Sequence, residues 1–368
     1  MNEVEKQIQE VCKRFSIAGE YRSFEVIESG HINSTFKVYF YRGGELKDYI
    51  VQKLNTYVFQ NPIAVMQNIS AVTEYVRAKI KATGRTAKRS VLHYAKTEED
   101  KYYVILEDGS FWRCCRYIDG SISFTQTNDL KVIEESGKAF GAFLGYLTDY
   151  PVGDLHIVIP HFHNTVMRYH ALKDAIAVNV AWRRDEVRDV IAGYEAIKDI
   201  AIKPYLLQCE GVLPLRVTHN DTKTSNVLFD EQTREYLAAI DLDTVMPGLV
   251  AFDFGDAIRV AASTVDEDEK DLTKVALDLD KYEAFTRGFV GVLKDSLTEA
   301  EKQSLALGAV AMTAECGARF LTDYLNGDKY FRIHYPDQNL ARAKCHLKLA
   351  NDMIAKLEQM QEIVNKYC

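Results

Sequence analysis

The chain has 368 residues, a length that points to two or three lobes rather than one core. Hydrophobic residues make up 47% and charged residues 27%, which excludes a disordered chain. A formal net charge of −8 leaves no evident surface for nucleic acid or an anionic membrane, while a local basic pocket for phosphate stays open.

The chain opens with Val4, Ile8, Val11, Cys12 and Phe15 at helical spacing, an amphipathic helix unlike a secretory signal. Residues 24–28, 34–40 and 49–54 read as strands, with turns at Gly30 and at Gly43-Gly44. A helix follows over 62–81, with Pro62 near its start and Gly84 beyond its end. Residues 90–95, 102–107 and 111–117 read as further strands, the last two joined by Asp108-Gly109, a strong hairpin signal. From residue 129 the spacing turns helical, over 129–147, 162–174, 185–200, 281–294, 298–324 and 339–366. Between 213 and 243 two short apolar pieces, 215–218 and 236–242, flank a polar loop. The order predicts an α+β fold with two kinase-like lobes, a β-rich N-terminal lobe over 1–117 and a mainly helical lobe over 118–368.

The seven cysteines, Cys12, Cys114, Cys115, Cys209, Cys316, Cys345 and Cys368, are odd in number and form no CxxC pair. That pattern argues against zinc and for reduced, packed thiols. The most apolar stretch, 305–314, is far short of the ~20 residues of a membrane span. The expected setting is the cytoplasm, with a small-molecule partner, no nucleic acid, no membrane, and a monomer or weak homodimer.

Chemistry concentrates at His219-Asn220-Asp221-Thr222-Lys223-Thr224-Ser225-Asn226. Protein kinases carry H-R-D-L-x-x-x-N, with Asp as base and Asn on a metal ion, and the Asp-to-Asn spacing here is the same. A hydroxyl nucleophile needs a proton acceptor, which Asp221 supplies. The neutral amide oxygen of Asn226 is a hard ligand suited to Mg²⁺. Lys223 can balance charge developing on a γ-phosphate. His219 fits an orienting role in the catalytic loop better than that of a base. A polar turn after a strand is the plainer alternative.

Asp241-Leu242-Asp243 lies fifteen residues after Asn226, where a second metal carboxylate belongs. Asp241 takes that place. Asp243 could bind a second metal or hydrogen-bond the acceptor. Asp253-Phe254-Gly255 is a literal D-F-G, but it lies twenty-seven residues after Asn226. Asp253 and Asp256 are therefore read as braces for the loop, accepting from backbone N–H groups or from Arg259.

The N-terminal lobe should cover the phosphates of ATP. Gly30-His31-Ile32-Asn33-Ser34-Thr35 lies between two strands, as a phosphate-covering loop would, although a plain hairpin turn fits too. In the strand ending Gln52-Lys53, alternation allows only one of the two to face the cleft. Glu74 would partner an inward Lys53; a solvated Glu is the alternative. Tyr117, Ile118 and Asp119, before Gly120, fit the segment that reads adenine through its backbone.

The T-H-N-D-T-K-x-x-N and I-D-L-D-T-x-M-P-G pieces resemble the aminoglycoside phosphotransferase and choline kinase superfamily and, within it, the N-acetylhexosamine 1-kinases. The similarity also runs through residues 30–33, 49–55, 252–259, 267–272 and 315–324, with Gly327-Asp328 after them. It implies a sugar substrate, with ATP and Mg²⁺ as cofactors, phosphorylated at its anomeric hydroxyl. It implies Asp221 as base and Asn226 and Asp241 on Mg²⁺. It places the sugar between the 30–33 loop, with His31 and Asn33, and the helical lobe near Asp243, Arg319, Asp323 and Tyr330. Arg319, Asp323 and Tyr324 share one helix as a polar cluster, with an Arg319–Asp323 surface ion pair as the alternative. Choline, a neutral hexose or homoserine remain rival acceptors.

Overall fold

The computed structural model describes residues 3–27 and 32–368. Helix α1 (Glu3–Arg14) lies on a five-stranded antiparallel sheet, β1 (Glu20–Ile27), β2 (Ser34–Arg42), β3 (Glu45–Lys53), β4 (Val104–Ile105) and β5 (Phe111–Arg116), in the order β1-β2-β3-β5-β4. Strand alternation divides the side chains between two faces. Phe36, Val38, Phe40, Val51, Trp112 and Cys114 pack under α1 with Ile8, Val11 and Phe15. The residues between them, Thr35, Lys37, Ile50, Gln52, Arg113 and Cys115, take the other face, which roofs the cleft. The expected strand at 90–95 is a turn, from which only Tyr94 bridges Cys115. The one expected at 102–107 shortens to β4, because the Asp108-Gly109 turn takes up the rest.

Helix α2 (Pro62–Ala82) starts at Asn61, whose side chain accepts the Ala64 N–H at 3.1 Å. Buried Asn68 donates to the carbonyls of His156 and Val245, both at 2.8 Å, and so pins α2 to the second lobe.

In the second lobe, β6 (Ser121–Ile122), β7 (Arg216–Thr218), β8 (Val227–Asp230), β9 (Tyr236–Ala239) and β10 (Met246–Gly248) make two small sheets, β6-β8-β9 and β10-β7. They carry the polar loops to the cleft floor. Around them pack α3 (Leu130–Tyr146), α4 (Thr165–Val178), α5 (Arg188–Cys209), α6 (Val250–Ala261), α7 (Leu279–Leu293), α8 (Glu299–Leu325), α9 (Gln338–Ala355) and α10 (Leu357–Tyr367). The expected helix over 339–366 divides at Lys356 into α9 and α10.

Helix α6 is buried on nearly every side, and its charged residues Asp253, Asp256 and Arg259, three apart, form an inward-facing polar stripe rather than a solvated face. It carries the D-F-G run, whose glycine is a packing residue. A Cβ on Gly255 would overlap the carbonyl of Gly308 on α8, and a Cβ on Gly308 would overlap that of Ala251. Helix α8 begins with a capping box, in which Glu301 N–H donates to Thr298 Oγ1 and Thr298 N–H to the Glu301 carboxylate. It is the one helix among the described residues long and apolar enough to cross a membrane, and 78% of its apolar window is buried within the protein. All seven cysteines are free.

Candidate active site

The loop 219–226 leaves β7 through Asn220, which has a φ of 62°, and is held by α6. The Asp253 carboxylate accepts the N–H groups of His219 and Asn220, each at 2.7 Å. Thr222 Oγ1 donates to the Asp253 carbonyl at 2.5 Å. Burial raises the Asp253 carboxyl to about 7, while the two N–H donors and His163 pull the other way. Burial also pushes Asp256 up, but the neighbouring Arg259 guanidinium, 2.7 Å away, outweighs it and holds the carboxyl below its usual range. Both aspartates of the D-F-G-D run therefore brace the site.

His219 is fully buried. Its Nε2 lies 2.8 Å from the Ile240 carbonyl, and its Nδ1 accepts the Asp221 N–H at 3.3 Å. Burial lowers its pKa, so the ring is neutral, with the proton on Nε2 facing the carbonyl. Both nitrogens are engaged, and the edges of Phe140 and Phe143 close round the ring. His219 is a positioning residue rather than a catalytic one.

Asp221 lies 2.9 Å from Lys223 Nζ. Burial works to lower the Lys223 ammonium, but Asp221 more than offsets it and the pKa rises. Asn226 Nδ2 donates to the Asp221 carbonyl at 2.8 Å and to its carboxylate at 3.0 Å. That fixes the amide orientation and leaves Asn226 Oδ1 without a hydrogen bond among the described residues. The Ile240 N–H donates to the Asn226 carbonyl at 2.8 Å, which sets Asp241 beside Asn226. Asp241 adopts a left-handed backbone, φ 59°, and its carboxylate also takes no hydrogen bond among the described residues. It opens to solvent through the cleft but is walled by protein. That burial, with Asp243 and Asp221 nearby, raises its pKa to about 7. No three His, Cys, Asp or Glu side chains converge as metal ligands among the described residues. The unengaged amide oxygen of Asn226 and carboxylate of Asp241, on segments joined by the Ile240–Asn226 backbone bond, are hard oxygen ligands of the kind a magnesium ion takes alongside water and phosphate.

The roof takes one of the two arrangements that strand alternation allows. Gln52 faces the cleft, its Nε2 donating to Thr35 Oγ1 at 3.0 Å. Lys53 points outward over Trp112, 3.9 Å from Asp108, and Ser34, paired with Lys53 across the strands, shares that outer face. Glu74 is solvated beside Arg77 at 3.2 Å. The cation beside Gln52 on the cleft-facing side of the roof is Arg113 of β5, whose Nε donates to Gln52 Oε1 at 2.9 Å. Arg113 Nη1 pairs with Asp243, the two side chains being 2% and 3% exposed. Asn33 Nδ2 donates to the other Asp243 oxygen at 2.6 Å, and Asn33 Oδ1 accepts the Asn55 N–H at 2.9 Å. Both oxygens of Asp243 thus tie floor to roof, one through Arg113 and one through Asn33, whose Oδ1 is held by Asn55 within the roof, so Asp243 is committed to this link rather than turned to the acceptor. Gly30 and His31 lie outside the described residues. Sequence reasoning missed Arg113; the signal was a lone Arg inside F-W-R-C-C, a run otherwise suited to a buried strand.

At the hinge end, Tyr117 N–H donates to the Asp48 carbonyl at 3.0 Å, Ile118 is buried, and Asp119 is exposed before Gly120 at φ 64°. The N–H of Ile118 makes no hydrogen bond among the described residues. Lys37 Nζ sits 4.0 Å above the Tyr117 ring and 3.0 Å from Asp48.

On the helical side, His163 joins the catalytic loop to α8. Its Nε2 lies 3.2 Å from the Asn220 carbonyl and its Nδ1 3.1 Å from Glu315. One turn beyond Glu315, Arg319 stands over Tyr330 and Phe331, at 5.9 and 5.4 Å from their ring centroids, without an ion pair among the described residues. Arg168 of α4 bonds only to the backbone carbonyls of Phe162 and His161, at 2.7 and 3.5 Å. Burial, and then Arg319 beside it, lower its pKa. Tyr330 is 73% exposed. Asp323 does not join this group. Its carboxylate accepts the N–H groups of Lys329, Tyr330 and Phe331 and the Asn339 amide, all at 2.9 Å. It shapes the turn that presents Tyr330, and neither an acceptor contact nor an ion pair with Arg319 is left to it.

The family model described as "APH: Phosphotransferase enzyme family" matches residues 23–285. An aminoglycoside phosphotransferase from Alicyclobacillus acidocaldarius superposes with a TM-score of 0.60 at 14% identity, covering 97% of this chain and 96% of that one. A microcompartment-associated aminopropanol kinase gives 0.56 at 12% identity, over 97% and 98% of the two chains. Choline kinase from Cryptosporidium parvum Iowa II gives 0.55 at 14%, over 99% of each.

Proposed function

Because this chain belongs to the phosphotransferase enzyme family, we propose that it transfers the γ-phosphoryl group of ATP to the anomeric hydroxyl of an N-acetylhexosamine, N-acetylglucosamine or N-acetylgalactosamine, giving the sugar 1-phosphate and ADP. The acceptor class rests on the character of the helical side. Arg168 and Arg319 stand together, neither in an ion pair among the described residues although Glu315 acts on Arg168 from nearby, beside the exposed ring of Tyr330. Two guanidinium groups, set against the single Glu315 carboxylate that also serves His163, disfavour a cationic acceptor such as choline, an amino alcohol or an aminoglycoside. They suit a neutral ring rich in acceptor oxygens, the acetamido carbonyl among them, with Tyr330 offering a stacking face.

In this reading Asp221 accepts the proton of the C1 hydroxyl. The amide of Asn226 and the ammonium of Lys223 hold its carboxylate in place. An anomeric hydroxyl is more acidic than an ordinary alcohol, which eases the demand on Asp221. Lys223 also reduces charge building on the transferred group. Mg²⁺ would be held by Asn226 and Asp241, and when bound it neutralises charge on the β- and γ-phosphate oxygens. The backbone of Tyr117 to Asp119 reads the adenine. His219, Asp253 and His163 keep Asp221 at a fixed depth, which an in-line displacement requires.

The experiment is ADP release, followed by a coupled assay, across N-acetylhexosamines, hexoses, homoserine, choline and aminoglycosides. N-acetylhexosamines should give the highest kcat/KM. Choline or an aminoglycoside in first place refutes the acceptor assignment.

A further inference from the structure

The roof of a kinase cleft normally holds a lysine on the third strand that pairs with the α- and β-phosphates. Here that strand turns Lys53 outward and presents Gln52. Three rungs of the sheet face the cleft, two residues apart. Asp48 and Tyr117 mark the hinge rung, Ile50 and Cys115 the middle one, and Thr35, Gln52 and Arg113 the far one. Two such steps cover about 13 Å, comparable with the reach of a nucleoside from its base to its first phosphates. Lys37 stands on the middle rung but is committed to Asp48 and the Tyr117 ring, at the base end. Arg113 alone among the described residues brings a cation to the far rung.

We propose that Arg113 is the phosphate-binding cation of the N-terminal lobe. Its fork has distinct tasks: Nε is held by Gln52, Nη1 by Asp243, and Nη2 makes no hydrogen bond among the described residues. Nη2 donates to an α- or β-phosphate oxygen while Nη1 keeps Asp243. An arginine can do this because its planar fork serves two anions at once; an ammonium is a point charge without that geometry. Asn33 completes the device by fastening the second Asp243 oxygen, so the guanidinium stays put when no nucleotide is bound. This rests on the cleft being an ATP site and is independent of which alcohol accepts the phosphoryl group.

The test is calorimetric binding of ADP and of adenosine in EDTA, where no metal mediates the phosphate contact. Removing Arg113 alone would strand Asp243 in a buried site and could unfold the chain. The informative protein is therefore the double variant Arg113→Gln with Asp243→Asn, which keeps the hydrogen-bonding shapes and removes both charges. Loss of the Asp243 charge by itself should favour a polyphosphate, so any weakening is assignable to Arg113. The double variant should bind ADP about 10- to 100-fold more weakly, the effect of one charge-assisted contact, and adenosine within about twofold. Arg113→Lys, which keeps the charge but loses the fork, should fall between. It is the variant to read if the double one does not fold. Equal losses for ADP and adenosine, or unchanged ADP binding, overturn the proposal and leave Arg113 as a strut between lobes. Wild-type protein that binds ADP no better than adenosine overturns it too. Tight ADP binding without turnover of any N-acetylhexosamine refutes the acceptor assignment alone.

Discussion

On the cleft floor, Asp221 and Asn226 are carried by a loop hung from backbone groups. Asp253 takes two N–H donors, Thr244 Oγ1 donates to the His219 carbonyl at 2.7 Å, and the His219 ring reaches the Ile240 carbonyl. On the roof, Arg113 and Gln52 are carried by strand register and by one buried ion pair to Asp243. The floor holds the Asp221 carboxylate with Lys223 and Asn226 and leaves Asn226 Oδ1 and the Asp241 carboxylate unengaged. The roof leaves almost nothing unengaged. The difference follows from the task. In the proposed reading a metal site must offer open valences, so the support of Asn226 and Asp241 comes from behind. A phosphate-covering wall has to meet the opposite lobe, so its polar groups close the gap between lobes as well as face a ligand.

Substitutions on the two sides test this contrast. The largest effect is expected at Asp221→Asn, which should lower kcat by about 10²- to 10⁴-fold, with thermal stability unchanged because the loop is held by Asp253. Near-normal turnover would remove Asp221 as the base. Asp253→Asn comes next. One of its two N–H donors would then face an NH₂ group, a loss of about 1–3 kcal/mol, seen in urea unfolding together with a fall in kcat. Unchanged stability would mean that the floor is not hung from α6.

A smaller, pH-dependent effect is expected at Glu315→Gln. Burial depresses the His163 pKa, but Glu315 raises it further, so the net shift is upward. A raised histidine stabilises fully below its unfolded value of about 6.5 and loses that contribution as pH rises through its folded value. From about pH 6.5 upward, the Tm of the wild type should fall more steeply than that of Glu315→Gln. Parallel curves would show that this pair does not titrate. The smallest effect is expected at Lys53→Ala: stability within about 0.5 kcal/mol and KM for ATP within about twofold, as for an exposed ion pair. A large rise in KM would return Lys53 to the cleft and take the phosphate role from Arg113.

The same contrast decides what could be read in the chain before its structure. The floor lies in two short runs, 219–226 and 241–243, and its chemistry depends on spacing along one loop and across one hairpin, so Asp221, Asn226 and Asp241 were legible. Periodicity located most helices, and Asp129 and Thr298, the first residues of two expected helical stretches, turn out to cap α3 and α8. The roof depends on which residues oppose each other across strands, and Arg113 faces Gln52 from sixty-one residues away. The His163–Glu315 link spans 152 residues. Asp323 was misread because helical spacing put it beside Arg319, whereas the following turn folds back and takes all of its acceptor capacity. Helix α6 escaped notice because its polar stripe, Asp253, Asp256 and Arg259, is turned inward to brace the catalytic loop, so it reads as a site motif rather than as the solvated face of a helix.

The glycine crossing of α6 and α8 has a genetic consequence. Gly255 and Gly308 touch no reacting atom, yet any side chain at either must push the two helices apart, because backbone rather than a flexible side chain stands in the way. Asp253 would move with α6, and the loop with it. A screen for inactive alleles should therefore collect substitutions at these two glycines as readily as at the aspartates, and many should be temperature-sensitive, with every catalytic side chain intact.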